Sequence, residues 1–427
     1  MKVLVVGGGK MGLPLACQLA DNGANVTIGD TNSEIVRKVN LGEPPFQEPQ
    51  LLEHIIRGQR AGRLKATTDV TAAAGDADVA IMIVPALLTP ERDIDYGNLI
   101  SASEAVARGM KEGILVSYET TVPVGGCRSV LVPKLEKASE MQAGRDFHVS
   151  FSPERVKSQM VFERLRKTPK VVGGYDSAST EASVSFYSRY LGAEVIDVGS
   201  LEAAEFVKLA EMIYRDVNLA LANELAAFSE VVGLDFDIVR KASNTSDEST
   251  ILEPGVGVGG HCVPVYPYFL IRHGERCGVP QEFAALGRRK NESQPSRHVA
   301  RIEAMLGSLK DSRVHILGLG FRPGVKEDAH SPAYDLKRAL ESAGAFVTLE
   351  DPLYSRDEIA ARGFRPAVAG ADEMDVVILN TAHSVFRKPD FSAWAARGVK
   401  LAFDGRSIWS RQTVESHGMR YLCVGKP

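Results

Sequence analysis

The stretch that decides the fold is Val3-Leu4-Val5-Val6-Gly7-Gly8-Gly9-Lys10-Met11-Gly12. Its four apolar residues predict a buried strand, and Gly7, Gly9 and Gly12 follow the G-x-G-x-x-G pattern between a strand and a helix. Glycines at these positions form the turn, admit a pyrophosphate and let the helix pack on the strand. The helix that begins around Lys10 and Met11 offers free N–H groups to phosphate. The stretch therefore predicts a dinucleotide-binding unit.

Asp30 is the second element of the predicted cofactor site. It ends the next predicted strand, 26–28, and follows Gly12 by 18 residues. A carboxylate at this position binds the ribose hydroxyls of NAD and repels the 2′-phosphate of NADP. NAD is therefore the predicted cofactor.

Strand-like and helix-like segments alternate at both ends of the chain, which predicts parallel sheets. Between them, one helix is predicted from Leu201 to about Ser229, and a second helical stretch from roughly Pro267 to Leu306. The predicted fold class is α/β, with two Rossmann-like doubly wound domains joined by a helical dimerisation region. The predicted domains are 1–198 for NAD, 199–305 for the central helices and 306–427 for a second, C-terminal α/β domain.

Composition excludes several functional classes for these 427 residues. The net charge of −4, with both signs interspersed, gives no indication of a nucleic-acid or membrane partner. Five cysteines without a CxxC pair predict no disulfide framework and no metal site, and they favour the reducing cytoplasm.

The stretch 257–268, Gly-Val-Gly-Gly-His-Cys-Val-Pro-Val-Tyr-Pro-Tyr, presents Cys262 on a glycine-rich loop. A thiolate there can attack a carbon electrophile, and a thiolate together with a hydride acceptor can take an aldehyde to an acid. The alternative is a buried structural cysteine on a tight turn. His261 either raises the thiolate fraction of its neighbour or is structural.

A second glycine-rich turn, Gly318-Leu319-Gly320-Phe321-Arg322, lacks the third glycine of the N-terminal pattern. It is predicted to hold a different phosphate, with Arg322 as the charge partner. An ordinary solvated arginine is the alternative.

Together these residues resemble the UDP-glucose/GDP-mannose dehydrogenase family, the nucleotide-sugar 6-dehydrogenases. The spellings Ser-Pro-Glu-Arg-Val and Gly-Gly-His-Cys look most like its UDP-N-acetylhexosamine branch. The resemblance covers nearly the whole chain and rests on six motifs in order: 7–12, 119–125, 152–156, 205–208, 260–262 and 321–333.

The resemblance implies a role for each matching residue. Cys262 matches the nucleophile, and Lys208 the lysine that stabilises the oxyanion and helps deprotonate the sugar hydroxyl. Thr121 and Glu154 match residues that hold the catalytic water, handle protons and border the cofactor. The expected substrate-binding residues are Lys208, Arg215, Gly259, His261, Tyr268, Phe321, Arg322 and Arg406.

Three of these residues have alternatives that the sequence leaves open. Lys208 can instead form an ion pair with Glu205 on a solvated face, and Arg215 can pair with Glu211. Tyr268 and its neighbour Phe269 can be core residues.

Several positions depart from the family's commoner pattern. Met212 stands where asparagine usually assists the lysine, and Tyr266 stands where an aspartate usually follows the cysteine. Ser158 replaces a second glutamate, and the segment 324–330 replaces an acidic run. These changes concern the residues that support proton transfer and sugar selection.

The expected function is an NAD-dependent four-electron oxidation of the C6 hydroxyl of a nucleoside-diphosphate hexose to a uronic acid. A sugar-nucleotide-binding protein without turnover and a two-electron dehydrogenase are the alternatives. The long helix is apolar on more than one side, and the resemblance implies a homodimer built on it.

Overall fold

The structure is a computed structural model that describes residues 1–427. Its contacts divide the chain into two compact units. The first comprises Met1–Glu211 with Tyr268–Val279, and the second Met212–Pro267 with Pro280–Pro427.

The N-terminal part carries ten strands and eight helices before the long helix. The strands are β1 (Lys2–Val6), β2 (Asn25–Gly29), β3 (Leu64–Thr67), β4 (Val79–Met82), β5 (Leu87–Leu88), β6 (Ile94–Asp95), β7 (Leu115–Tyr118), β8 (His148–Phe151), β9 (Lys170–Gly174) and β10 (Val195–Ser200). The helices are α1 (Gly12–Asp21), α2 (Ser33–Asn40), α3 (Leu51–Arg60), α4 (Val70–Asp76), α5 (Gly97–Ala107), α6 (Val132–Ser139), α7 (Val161–Lys167) and α8 (Ser177–Tyr190).

Eight of these strands form one sheet in the order β10-β9-β8-β7-β4-β1-β2-β3. The sheet is buried on both faces, because Val3 and Val5 of β1 enter one apolar cluster while Leu4 and Val6 enter another. The order reverses at β1, which lies between β2 and β4. In such sheets ligands bind beyond the carboxyl ends of the strands at the reversal.

The helical region contains five helices. They are α9 (Leu201–Val232), α10 (Phe236–Ser243), α11 (Tyr266–Arg276), α12 (Glu282–Glu292) and α13 (Gln294–Leu306). The long helix predicted from Leu201 is present and extends three residues further than predicted. The stretch predicted from Pro267 is not continuous: α11 ends before Gly278, which has a φ of 71°, and Pro280 cannot donate the N–H that a helix requires.

The C-terminal part repeats the βαβ pattern. Its elements are β11 (Arg313–Leu317), α14 (Pro332–Ser342), β12 (Phe346–Glu350), α15 (Arg356–Ala361), β13 (Arg365–Pro366), β14 (Val376–Leu379), α16 (Phe391–Ala396), β15 (Leu401–Asp404), α17 (Arg411–Glu415) and β16 (Arg420–Cys423). All neighbours in the sheet β13-β12-β11-β14-β15-β16 are parallel, and the order reverses at β11.

The predicted α/β class with two doubly wound sheets and a central helical region is confirmed. One detail differs, since β9 runs antiparallel to β8 while β10 runs parallel to β9. The division at residues 198 and 305 stays a prediction. None of the helices has the length and apolar composition needed to span a bilayer.

Candidate active site

The turn after β1 fits a bound dinucleotide. A Cβ on Gly12 would lie 1.9 Å from the carbonyl oxygen of Gly7, so only glycine lets α1 begin this close to the strand. A Cβ on Gly9 would meet nothing within 4 Å, so the space above this residue is open. Lys10 and Met11 are half-buried beside it. The turn thus combines a close helix–strand contact with an open approach for the pyrophosphate.

Asp30 lies just beyond β2 and is tied to this turn. Its Oδ2 accepts the Gly8 N–H at 2.7 Å, and its Oδ1 accepts the Asn32 N–H at 2.8 Å. A carboxylate has about four acceptor sites, so two ribose hydroxyls can still bind. Asp30 therefore fixes the glycine turn, and ribose binding by its remaining acceptor sites stays a prediction.

Thr121 and Glu154 follow β7 and β8, which are parallel to each other and to β1 through β4. Parallel strands end at the same sheet edge, so both residues lie on the edge that carries the glycine turn. Thr121 is buried. The Glu154 carboxylate accepts the N–H of Val156. Burial raises the pKa of Glu154 above its ordinary value, although the charge of Lys208 and the Val156 hydrogen bond lower it.

Lys208 is buried on the first turns of α9, with 4% of its surface exposed. Its Nζ donates to the backbone carbonyl of Glu154 at 2.7 Å. The alternative ion pair with Glu205 is not present, because Glu205 accepts the N–H groups of Gly125 and Cys127 at 2.5 and 2.9 Å. The first unit therefore brings a buried ammonium group and a carboxyl of raised pKa to one place.

A buried ion pair lies behind Glu154. Lys170 and Glu119 approach to 2.7 Å, and the Tyr187 hydroxyl donates to Glu119 at 2.7 Å. The Glu154 N–H donates to the Glu119 carbonyl at 3.2 Å. Sequence reasoning did not assign this pair, although Glu119 stands inside the quoted motif 119–125.

Burial distinguishes Cys262 from three of the other four cysteines, while Cys277 is exposed. Cys17, Cys127 and Cys423 are buried, and burial raises the pKa of each; that of Cys423 rises to about 11. Cys262 is half-buried in the second unit, on the cysteine loop (residues 251–265), which contains no helix or strand. The thiolate is the nucleophile, so the three buried thiols are unsuited to attack.

The cysteine loop packs against the turn that follows β11. The Gly260 N–H donates to the Ala329 carbonyl at 2.8 Å, and a Cβ on Gly259 would lie 2.5 Å from the Cβ of Phe321. His261 is exposed, whereas burial lowers the pKa of the nearby His330, with His261 adding to the shift. The contact is close enough to require glycine.

The second unit also brings two of the three predicted arginines to this region. Arg322 is half-buried in the turn after β11. Arg406 follows β15, and its Nε donates to the Asn380 carbonyl at 2.6 Å. A Cβ on Gly255 would lie 2.7 Å from the Arg406 guanidinium. Gly259, His261, Cys262, Phe321, Arg322 and Arg406 therefore belong to one unit and to one group of loops.

Asp351 resembles Asp30 in its position and contacts. It follows β12, and its Oδ2 accepts the N–H groups of Leu319 and Gly320 at 2.7 and 3.1 Å. His383 approaches the same oxygen at 3.2 Å. The sequence analysis assigned no role to Asp351; its place after the second strand of the βαβ repeat was the available signal.

Two of the predicted substrate-binding residues, Tyr268 and Arg215, do not belong to this group of loops. Tyr268 belongs to the first unit, where it is buried with its ring 4.8 Å from the Arg92 guanidinium. Arg215 is exposed on α9, and Glu211 is paired with Arg155 at 3.2 Å. The roles of the site residues stay predictions.

Comparisons with known proteins agree with this architecture. Models of the UDP-glucose/GDP-mannose dehydrogenase family match residues 1–191 as its NAD binding domain, 202–293 as its central domain and 315–411 as its UDP binding domain.

Similar proteins match over nearly the full length. A UDP-N-acetyl-D-mannosamine dehydrogenase of Campylobacter jejuni is 31% identical, covering 90% of this chain and 96% of the relative. A UDP-N-acetyl-D-glucosamine 6-dehydrogenase of Pseudomonas aeruginosa is 30% identical, covering 91% and 92%. The solved structure of a UDP-D-ManNAc dehydrogenase from Pyrococcus horikoshii is 27% identical, with a TM-score of 0.89 and coverage of 100% and 99%.

The family, the fold class and the NAD cofactor predicted from the sequence are thus confirmed. The chain belongs to the UDP-glucose/GDP-mannose dehydrogenase family and is an NAD-dependent nucleotide-sugar dehydrogenase.

Proposed function

We propose that the protein oxidises the C6 hydroxyl of a UDP-N-acetylhexosamine to the uronic acid through a covalent intermediate on Cys262. One alcohol, one water and two NAD⁺ give one carboxylate, two NADH and three protons. NAD, held at the glycine turn after β1, would supply the acceptor for the hydride that each oxidation releases. One observation carries the proposal. The buried Lys208 ammonium donates to the backbone carbonyl of Glu154 at the edge of the NAD-binding sheet.

Lys208 and Glu154 serve the proton transfers. The Lys208 charge stabilises the alkoxide that forms when the C6 hydroxyl loses its proton, assisted by ordered water. The raised pKa of Glu154 brings this carboxyl closer to neutral pH, where a general acid–base works best. Thr121, on the same sheet edge, helps to hold the water.

Cys262 serves the second oxidation. Its thiolate attacks the C6 aldehyde, and the S–C bond gives a thiohemiacetal whose oxygen takes up a proton. Loss of hydride and of that proton leaves a thioester. Water then breaks the S–C bond, releasing the carboxylate and returning the thiol. Lys208 stabilises the oxyanion in these steps.

Arg322 and Arg406 are proposed to bind the diphosphate, because guanidinium groups match phosphate oxygens in geometry and charge. The remaining predicted substrate contacts, among them Gly259, His261, Tyr268 and Phe321, are proposed to surround the sugar nucleotide. The uronate product would serve polysaccharide or glycoconjugate synthesis.

The amount of NADH formed per sugar tests the proposal. UDP-N-acetylmannosamine, UDP-N-acetylglucosamine, UDP-glucose and GDP-mannose are each given in limiting amount. We expect two NADH per sugar with an N-acetylhexosamine. One NADH would indicate a two-electron dehydrogenase, and none with tight binding a protein without turnover.

The variant Cys262→Ser is the matched control for the covalent step. We expect it to bind NAD and substrate but not to complete the second oxidation, because a serine hydroxyl is a far weaker nucleophile than a thiolate. Uronate formation at the wild-type rate by this variant would contradict the thioester mechanism.

We also propose a cytoplasmic homodimer with the three-part division at residues 198 and 305. The five cysteines include no CxxC pair, which suits a reducing compartment. Tyr214, Leu221 and Phe228 follow each other at seven-residue intervals on α9 and are 61%, 48% and 63% exposed. A second copy of the chain is proposed to cover this face.

A further inference from the structure

Two neighbouring helices of the second unit share a buried polar cluster. Asp216 and Asn223 lie on α9, and Arg288 and Asn291 lie on α12; none is more than 3% exposed. Buried charges of this kind are rare unless they are paired, since each loses its hydration. The desolvation of these charges must therefore be offset by the groups that the cluster contacts.

The hydrogen bonds of the cluster form one continuous chain. Arg288 Nη1 donates to Asp216 Oδ1 at 2.9 Å. Asn291 Nδ2 donates to the same oxygen at 2.8 Å and to the Asp216 carbonyl at 2.9 Å. Asn223 Nδ2 donates to Asn291 Oδ1 at 3.0 Å. The two helices are thus joined through polar side chains.

Both ends of this series of hydrogen bonds contact the cysteine loop. Arg288 Nη1 also donates to the carbonyl of Val263, the residue after Cys262, at 3.1 Å. At the other end, Asn223 Oδ1 accepts the N–H of Gly255 at 3.0 Å. The cluster therefore holds the loop on both sides of the cysteine.

The helices approach closely enough for these short side chains to meet. A Cβ on Gly287 would lie 3.4 Å from the Cα of Val217 and 3.7 Å from Asp216 Oδ2. Asp216 Oδ2 is buried and has no hydrogen-bond partner in the structure. Burial raises the pKa of Asp216 to about 6, although the Arg288 charge lowers it. The carboxylate is thus retained at a cost in desolvation.

The cluster lies near two of the positions where this chain departs from the family's commoner pattern, Met212 and Tyr266. Asp216 comes one helical turn after Met212 on α9, and the held segment ends just before Tyr266. A methionine cannot donate a hydrogen bond, and neither position supplies a carboxylate. Polar support for the loop is instead available from Asp216 and Arg288.

We propose that Asp216, Arg288, Asn291 and Asn223 are positioning residues that hold the cysteine loop at both ends so that Cys262 meets the aldehyde. This inference rests on the proposed function. Its consequence is selective: the first oxidation needs no thiol, whereas the second fails when the thiol is displaced.

The test measures NADH per UDP-N-acetylhexosamine in the presence of semicarbazide, which traps free aldehyde. We expect wild type to give two NADH, and Asp216→Asn and Asn223→Ala to give a ratio that falls toward one. Simple destabilisation would lower the amount of active enzyme without changing this ratio. Both variants are first checked for a cooperative thermal transition.

Glu230→Gln is the matched control. Glu230 is also a buried acid on α9, paired with Arg301 at 2.8 Å, but it binds the Gly425 N–H and not the cysteine loop. We expect this variant to keep a ratio of two. A ratio of two in folded Asp216→Asn and Asn223→Ala would overturn the inference.

A second readout does not depend on turnover. The rate at which iodoacetamide alkylates Cys262 is followed by peptide mass spectrometry, which separates it from the exposed Cys277. Asn223→Ala changes no charge, so a released loop should make the half-buried thiol react several-fold faster. An unchanged alkylation rate in Asn223→Ala would overturn the inference, whatever the NADH assay shows. If wild type gave fewer than two NADH, that result would count against the proposed function alone.

Discussion

At the scale of single residues, Asp30 fixes the shape of the glycine turn and is predicted to bind the ribose of the cofactor. Asp30→Ala removes the ribose acceptor and the acceptor of the Gly8 N–H, whereas Asp30→Asn can keep one of the two. Loss of a charged hydrogen bond costs about 1.5–3 kcal/mol, or roughly 10- to 150-fold in affinity. We expect both variants to bind NAD more weakly and to discriminate less against NADP.

Direct titration of both cofactors by calorimetry checks this expectation. The alanine variant should lose more affinity than the asparagine variant, because it also frees the turn. NAD affinity unchanged in both would mean that another residue binds the ribose.

Lys208 tests the electrostatic part of the mechanism. Its charge is needed most when an oxyanion develops, so Lys208→Ala should lower kcat far more than it raises KM. Steady-state kinetics measures both constants with the sugar nucleotide that gives two NADH in the assay above. A change in KM alone would make Lys208 a substrate anchor instead.

Glu205 predicts a pH dependence of stability. It is fully buried, and burial raises its pKa from 4.5 to about 7. The folded state therefore holds a proton that the unfolded state has released between these values. Its stabilising contribution is complete below about pH 4.5 and is lost as the pH rises through 7, a change on the order of 3 kcal/mol.

Glu205→Gln removes this titration, because an amide does not ionise in this range. We expect the wild-type unfolding temperature to fall between pH 5 and 8 relative to that of the variant, as followed by circular dichroism. Parallel curves for the two proteins would show that Glu205 titrates at its ordinary pH. Glu205 holds the segment after Thr121, so the same titration should also affect the order of that segment.

At the scale of elements, the two sheets use the same device. A carboxylate placed just after the second strand accepts backbone N–H groups from the glycine-rich turn after the first strand, as Asp30 does for Gly8 and Asp351 for Gly320. These hydrogen bonds fix the shape of the turn, because its N–H groups would otherwise have no acceptor. In both units the turn lies where the strand order reverses, so fixing it also prepares a ligand site.

Local patterns were enough to predict the elements that carry their own signal. The strand and turn at 3–12 and the long helix from Leu201 follow from apolar periodicity and glycine spacing. Strands β3 and β10 were missed because they show little of the burial that an apolar run predicts: two of the four residues of Leu64–Thr67 are buried, and none of the six of Val195–Ser200. Their pairing depends on neighbours distant in sequence, which periodicity does not report.

The candidate site likewise contains residues that sequence motifs predict and residues that only the three-dimensional structure brings together. Cys262 and Lys208 stand in recognisable motifs. Cys262 lies half-buried on a loop and Lys208 lies buried on α9, where it donates to the Glu154 carbonyl, and their catalytic roles stay predictions. Asp216 and Arg288 are 72 residues apart and look like surface charges in the sequence. Only the approach of α12 to α9 at Gly287 reveals that they are buried together.

At the scale of the whole molecule, the exposed apolar residues of the second unit predict self-association. Besides the α9 face at Tyr214, Leu221 and Phe228, Val231 and Ile238 are 85% and 69% exposed. Patches of large apolar side chains on one face mark interaction sites, because water is excluded from them on association. Sedimentation equilibrium at micromolar concentration should give twice the 46.2 kDa of one chain.

The double variant Leu221→Glu with Phe228→Glu should sediment as a single chain, since two buried carboxylates would oppose each other across the interface. Val385→Glu is the matched control, because Val385 is 59% exposed but lies in the C-terminal part, away from α9 in sequence. It should remain a dimer. A wild-type protein that stays at 46.2 kDa would refute the assignment of this face. A double variant that remains a dimer would place the interface elsewhere.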